Sequence, residues 1–115
     1  MITVFGLQNC DTCRKALKWL DGQGIEHRFH DFRKDGLDAG LLGRWIAAQG
    51  WETLLNRRGT TWRKLSDADK AGLDGAKAAA LMAAHPALIK RPVFEKGERV
   101  IIGFKDEQRI QIKEG

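Results

Sequence analysis

The sequence predicts a single α/β domain with elements in the order β-α-β, a helical block, then β-β-α. Three observations carry that expectation. Short β-branched and aromatic runs lie near both ends of the chain, apolar residues recur at helical spacing through the middle, and Gly, Pro and Asp punctuate the joins. With 115 residues the chain is long enough to bury one core. Its hydrophobic fraction of 43% and charged fraction of 30% are those of an ordinary globular domain.

The elements follow in order. Ile2–Gly6 reads as an opening strand, and a helix is expected from about Asp11, with Ala16, Leu17 and Leu20 on one stripe and Gly22 and Gly24 ending it. His27–Phe32 is a candidate second strand, with Arg28, His30 and Phe32 on one face and His27, Phe29 and Asp31 on the other. A helical block runs from about 38 to 84. Asp38 is its expected first cap, ahead of Leu41, Leu42, Trp45 and Ile46. Trp51–Leu55 reads as a short helical turn, Ser66–Asp69 as a capped start, and Ala76–Ala84 as an alanine-rich helix that Pro86 ends. Val93–Glu95 and Arg99–Ile102 flank Lys96-Gly97-Glu98, a hairpin signal, and Asp106 is the expected cap of a last helix bearing Ile110. There is no internal repeat or linker, so residues 1–115 are read as one domain.

Composition excludes several classes. Two cysteines and two prolines are too few for a disulfide scaffold or a Pro-rich disordered chain. The longest apolar run, Ala78–Ala84, is far shorter than the roughly 20 residues that span a bilayer. The opening Met1-Ile2-Thr3-Val4-Phe5 lacks a basic, long-apolar leader, so a cytoplasmic, reducing compartment and no membrane partner are expected. Twenty basic against fifteen acidic residues give a net charge of +5, which raises the question of nucleic acid. Trp19, Trp45 and Trp51 fall beside aliphatic residues on expected helices, however, and only Trp62 lies in a basic segment. No nucleic-acid partner is expected.

The chemistry concentrates in Cys10-Asp11-Thr12-Cys13, at the join of the first strand and helix. A cysteine at a helix N-terminus faces unpaired N–H groups and the positive end of the dipole, which favour the reactive thiolate. Arg14 and Lys15 are expected to push the same way and Asp11 weakly against. Cys10, exposed at the cap, is the expected nucleophile, and Cys13, partly covered, the resolving thiol. Two other readings of the pair remain, ordinary buried small residues and a zinc site with His27 and His30. The histidines are separated by only two residues, and on a strand they point to opposite faces, so no metal is expected. Fixed positive charge for an anionic substrate is sought in Asn56–Lys64 and in Lys90-Arg91-Pro92, where the proline opens a strand and is a candidate for a cis bond.

These residues carry a resemblance. Cys10–Ala16 followed by Trp19-Leu20, and His85-Pro86-Ala87-Leu88-Ile89-Lys90-Arg91-Pro92, resemble the two hallmarks of the arsenate-reductase (ArsC)/Spx family. Asn56, Arg58-Gly59-Thr60-Thr61-Trp62-Arg63-Lys64-Leu65 and His30-Asp31-Phe32-Arg33 with Asp35–Asp38 are similar to its YffB-like branch. The resemblance implies a thioredoxin-like fold with a helical insertion, a cis Arg91-Pro92 bond facing the active thiol, Cys10 as nucleophile, and Arg58 and Arg91 as its flanking cations. Arsenate reductases of the family carry a further arginine after the last strand, where this chain reads Ile102-Gly103-Phe104-Lys105, which counts against arsenate. Cys13 adds an internal partner that those enzymes usually lack.

The resulting expectation is a thiol-dependent oxidoreductase with no bound cofactor and with glutathione as co-substrate. Arsenate reduction and an Spx-like redox switch on RNA polymerase are the alternatives. Asn9, Asp11, Thr12, Arg14, Arg91, Pro92, Lys105 and Asp106 are the expected substrate- or glutathione-binding residues. Glutaredoxin is a further expected partner; RNA polymerase belongs to the Spx-like alternative alone.

Overall fold

A computed structural model describes residues 1–114. Four strands, β1 (Ile2–Gly6), β2 (His27–Asp31), β3 (Val93–Lys96) and β4 (Arg99–Ile102), form one mixed sheet in the order β2-β1-β3-β4. β1 runs parallel to β2, from Ile2 opposite His27 to Gly6 opposite Asp31, and antiparallel to β3, with Val4 opposite Phe94. β3 and β4 form a hairpin in which Lys96 faces Arg99. That pairing leaves a two-residue turn, and Gly97 supplies the positive φ (61°) that its first position needs.

Helix α1 (Asp11–Gly22) connects the parallel pair, as a parallel connection requires. It buries Cys13, Ala16 and Leu20 on one stripe. The helix ends where expected: Gly24 takes a left-handed conformation (φ 67°), and Gln23 N–H donates back to the Trp19 carbonyl at 3.0 Å. The core beneath it joins Ile2, Val4, Ala16, Leu20, Phe94, Ile101 and Ile112, with Trp19, Phe29 and Phe104 packed at its margin. Ile112 comes from the closing helix α7 (Asp106–Lys113).

The chain divides into two compact units. One is Met1–Gly36 with the chain from Arg91 onward; the other is Leu37–Lys90. The second holds α2 (Ala39–Gln49), α3 (Trp51–Leu54), α4 (Thr60–Lys64), α5 (Asp67–Lys70), α6 (Gly75–Ala84) and a 3-10 turn at Pro86–Leu88. Asp38, Ser66 and Asp74 cap α2, α5 and α6, their side chains accepting the N–H of Leu41, Asp69 and Lys77 at 3.0, 3.1 and 2.8 Å. Within the unit α2 packs on α3 and α6, and Trp45, Leu54, Met82 and Ile89 are fully buried. Asn56 N–H donates to the Leu88 carbonyl at 2.7 Å and Lys90 N–H to that of Leu54 at 2.8 Å, which ties the segment before Arg58 to the one before Arg91.

Three expectations are corrected. Helix α4 was not anticipated as a separate element, because Thr60–Lys64 carries no apolar stripe and starts from Gly59 without a capping side chain. The second strand stops at Asp31, not Phe32. The last helix is capped at Lys105, not Asp106: the side-chain oxygen of Gln108 reaches back to the Lys105 N–H at 2.8 Å, and Asp106 already lies inside the helix. Among the described residues no helix is long and apolar enough to cross a membrane.

Candidate functional site

Cys10 is the N-cap of α1, with extended backbone (φ −102°, ψ 120°). Its N–H donates to the Leu7 carbonyl at 3.2 Å, and its carbonyl accepts from Arg14 N–H at 3.0 Å. The chain therefore turns sharply between the end of β1 and the helix, and the thiol sits at the helix N-terminus. Both cysteines are free; Cys10 is half-buried and Cys13 is buried, at 1% exposure. Each is more covered than the sequence suggested. Gly6 makes room for Cys13: a Cβ built on it would overlap Cys13 Sγ.

The two thiols are driven apart in acidity. Burial raises Cys10, but hydrogen bonding from the Cys13 N–H, the Arg91 side chain and the Cys13 thiol, together with the Arg91 charge, outweighs burial and holds it below an ordinary thiol. Cys13 is pushed up to about 12, first by burial and then by the neighbouring Cys10 charge and hydrogen bond; the Leu7 N–H and Arg91 only partly counter this. The pair is therefore one thiol more acidic than usual beside one that is far less so.

Arg91 precedes Pro92, and the bond between them is cis. Pro92 is buried and its carbonyl accepts from Gly103 N–H at 2.9 Å, which fixes the approach to β3. Arg91 is thus the cation placed on Cys10. Arg14, expected to help, instead pairs with Asp11 at 3.1 Å across one turn of the helix, both side chains well exposed. Asn9 and Thr12, neighbours of Cys10 in the chain, are exposed, and so is Lys105 at the start of α7. Asp106 is engaged by Arg109 at 2.9 Å. Arg58 belongs to the helical unit; its side chain is exposed and its N–H donates to Asn56 Oδ1 at 3.0 Å.

The histidines have local partners. His27 Nδ1 lies 2.8 Å from the Ile25 carbonyl and Nε2 3.5 Å from Asp21, while His30 Nε2 lies 2.7 Å from the Gly36 carbonyl. Among the described residues no three His, Cys, Asp or Glu side chains group as metal ligands. One residue of interest was missed by the sequence reading. Asp31 is buried, and its carboxylate accepts the backbone N–H of Gln8, two residues before Cys10, at 2.8 Å. Its signal was the run Asp31-Phe32-Arg33-Lys34, in which an aspartate precedes turn N–H groups that its side chain can reach.

Sheet order and thiol placement put the protein in the thioredoxin-like class, with paired cysteines at the first helix and a cis-proline ahead of the third strand. Within that class the chain belongs to the ArsC family, whose pattern matches residues 5–112. It is similar to the solved YFFB (PA3664) protein, with 48% identity, 96% of this chain and 97% of that one covered, and a TM-score of 0.91. An uncharacterized protein of Haemophilus influenzae is 46% identical over 108 residues, spanning 94% of this chain and 95% of the relative. The global transcriptional regulator Spx of Streptococcus mutans is 27% identical over 110 residues, covering 94% of this chain and 80% of the regulator.

Proposed function

We propose that the protein is a thiol-dependent oxidoreductase in which Cys10 attacks an oxidised sulfur substrate, Cys13 resolves the intermediate, and glutathione supplies the reducing equivalents. One observation carries this reading: a half-buried thiol at a helix N-terminus, held below its ordinary acidity range by Arg91 and the Cys13 N–H, stands beside a thiol held protonated. The lowered thiol is the nucleophile and the raised one its proton-bearing neighbour.

The chemistry balances as two exchanges. The Cys10 thiolate attacks one sulfur of a disulfide, forming a mixed disulfide and expelling the other half as a thiolate. Once Cys10 is no longer charged, the cause that Cys10 contributes to the raised Cys13 value disappears and Cys13 becomes easier to deprotonate. It then attacks Cys10 Sγ, closing the internal disulfide and releasing the second thiolate. Two glutathione thiols reduce that disulfide and leave as glutathione disulfide, and glutaredoxin is a further partner for the same exchange. Arg91 stabilises the charge at both attack and departure, and the exposed Asn9, Asp11, Thr12, Arg14, Lys105 and Asp106 are the surrounding groups for glutathione. The family resemblance adds Arg58 as a further cation for an anionic substrate.

A second reading rests on the similarity to Spx. There the Cys10–Cys13 pair is a redox switch on an RNA polymerase-binding protein. Arsenate reduction, which the family resemblance suggests, would use the same thiolate on an oxyanion. Turnover separates the three. Reduction of a glutathionylated peptide by glutathione should depend on the protein and vanish in Cys10→Ser. Arsenate-dependent oxidation of glutathione, or polymerase binding without turnover, would displace this reading.

A further inference from the structure

Both cysteines lean on the residue Leu7, Cys10 through its backbone and Cys13 through its sulfur. The Leu7 carbonyl accepts the Cys10 N–H at 3.2 Å, and the Leu7 N–H hydrogen-bonds the Cys13 sulfur. The stretch Leu7–Gln8 lies past the end of the sheet. The last β1–β2 pair is Gly6 with Asp31, followed by one backbone bond from Phe32 N–H to the Gly6 carbonyl at 2.9 Å. A side chain continues the attachment. Asp31 Oδ2 accepts Gln8 N–H at 2.8 Å, while Oδ1 accepts Arg33 N–H at 2.7 Å and Lys34 N–H at 3.1 Å.

Asp31 is 5% exposed and is the only buried polar or charged side chain among the described residues. Burying a carboxylate is costly unless its oxygens are satisfied, and here three N–H groups satisfy them. Shaping the turn after β2 needs only Oδ1; Oδ2 is committed to the loop that carries the nucleophile. Asp35 Oδ2 in turn accepts the Asp31 N–H at 2.9 Å. Arg14, Arg33 and Lys34 line the same cleft of about 330 Å³ with Leu7, Gln8 and Asn9. The result for Asp31 is a carboxyl below its usual range: burial raises it, and the three N–H bonds and the Lys34 charge more than offset that.

We propose that Asp31 is a positioning residue for the Cys10 thiolate: through the Gln8 N–H it pins the Leu7–Cys10 turn where Cys10 meets Arg91 and Cys13. The proposal rests on Cys10 being the reactive thiol, as above. Its test is Asp31→Asn. The amide has one carbonyl oxygen, which two N–H donors hold on the Arg33–Lys34 side, so its NH2 is left facing the Gln8 N–H, donor against donor. The Gln8 link breaks while the turn keeps its bonds.

The readout is the pH midpoint of Cys10 alkylation in the otherwise intact protein, measured together with Tm. Asp31→Asn should move the midpoint upward, slowing alkylation at fixed pH below it by roughly three- to tenfold, one pKa unit being a factor of ten. Ile101→Val, a core change in the same unit that leaves the turn alone, should lower Tm and leave the midpoint where it is. A lowered Tm with an unmoved midpoint in Asp31→Asn overturns the proposal, since a purely structural role would produce that. If Asp31→Asn does not fold, Asp31→Glu, which keeps the charge but displaces the oxygens, takes its place under the same criterion. Because the readout is the thiol's own titration, absence of glutathione turnover would count against the proposed function alone.

Discussion

Gly6→Ala probes the space that the resolving thiol occupies. A methyl group at Gly6 would overlap Cys13 Sγ, whereas its next neighbours, Cys13 Cβ at 3.5 Å and Phe29 Cε1 at 3.7 Å, lie at ordinary contact distance. Only the sulfur obstructs it, and at 1% exposure Cys13 has no open space to swing into. Overpacking of this kind costs about 1–3 kcal/mol. Against it runs the intrinsic gain of Ala over Gly inside a strand, about 0.5–1 kcal/mol. The net loss in the parent protein is therefore about 0–2.5 kcal/mol. In a Cys13→Ala background the obstruction is gone, and Gly6→Ala should be neutral or stabilising by up to about 1 kcal/mol. Urea unfolding of the parent, both single variants and the double variant, all under reductant, gives the coupling energy, expected at about 1–3 kcal/mol. An equal penalty in both backgrounds would refute the reasoning, because the clash would then lie elsewhere.

Three further outcomes follow from the electrostatics. Arg91→Ala should raise the alkylation midpoint of Cys10, since both its hydrogen bond and its charge favour the thiolate; an unmoved midpoint would remove Arg91 from the site. With Cys13 held up at about 12, iodoacetamide at pH 8 on the reduced native protein should modify Cys10 and spare Cys13, as peptide mapping would show; earlier labelling of Cys13 contradicts the assignment. Asp31 has a folded value below the unfolded carboxylate range, so its contribution to stability is complete above that range and is lost as pH falls through the folded value. The Tm gap between the parent and Asp31→Asn should accordingly narrow on acidification below about pH 4. A gap of constant size down to acid pH would mean that the ionised carboxylate is not what holds the turn.

The strands and the longer helices were legible because their signals are local. Asp38 before the Leu41–Ile46 stripe, the Gly24 stop and the Gly97 turn each act on their own backbone, and each sits where it was read. Elements without such a signal were not: Thr60–Lys64 is short, basic and uncapped. Asp106 misled because aspartate favours N-caps in general, whereas here Gln108 satisfies the Lys105 N–H from inside the helix.

The candidate site divides in the same way. The cysteine pair can be read from its spacing together with its place at a strand–helix join, and Arg14 with Asp11 is a helix-surface pair at i,i+3 spacing. Arg91 stood out only through Pro92 and the family resemblance, since its action on Cys10 bridges distant parts of the chain. Asp31 was hidden for a related reason. Its partner, Gln8, lies far off in sequence, and the parallel β1–β2 register brings the two together.

The central claim, that Cys10 is the nucleophile and Cys13 its resolving partner, is tested most directly by trapping. Reduced Cys13→Ser protein mixed with glutathione disulfide and examined by intact mass and peptide mapping should carry one glutathione, on Cys10, while the parent passes on to the internal disulfide and keeps little adduct. A Cys13→Ser protein that stays unmodified at Cys10 would contradict the account.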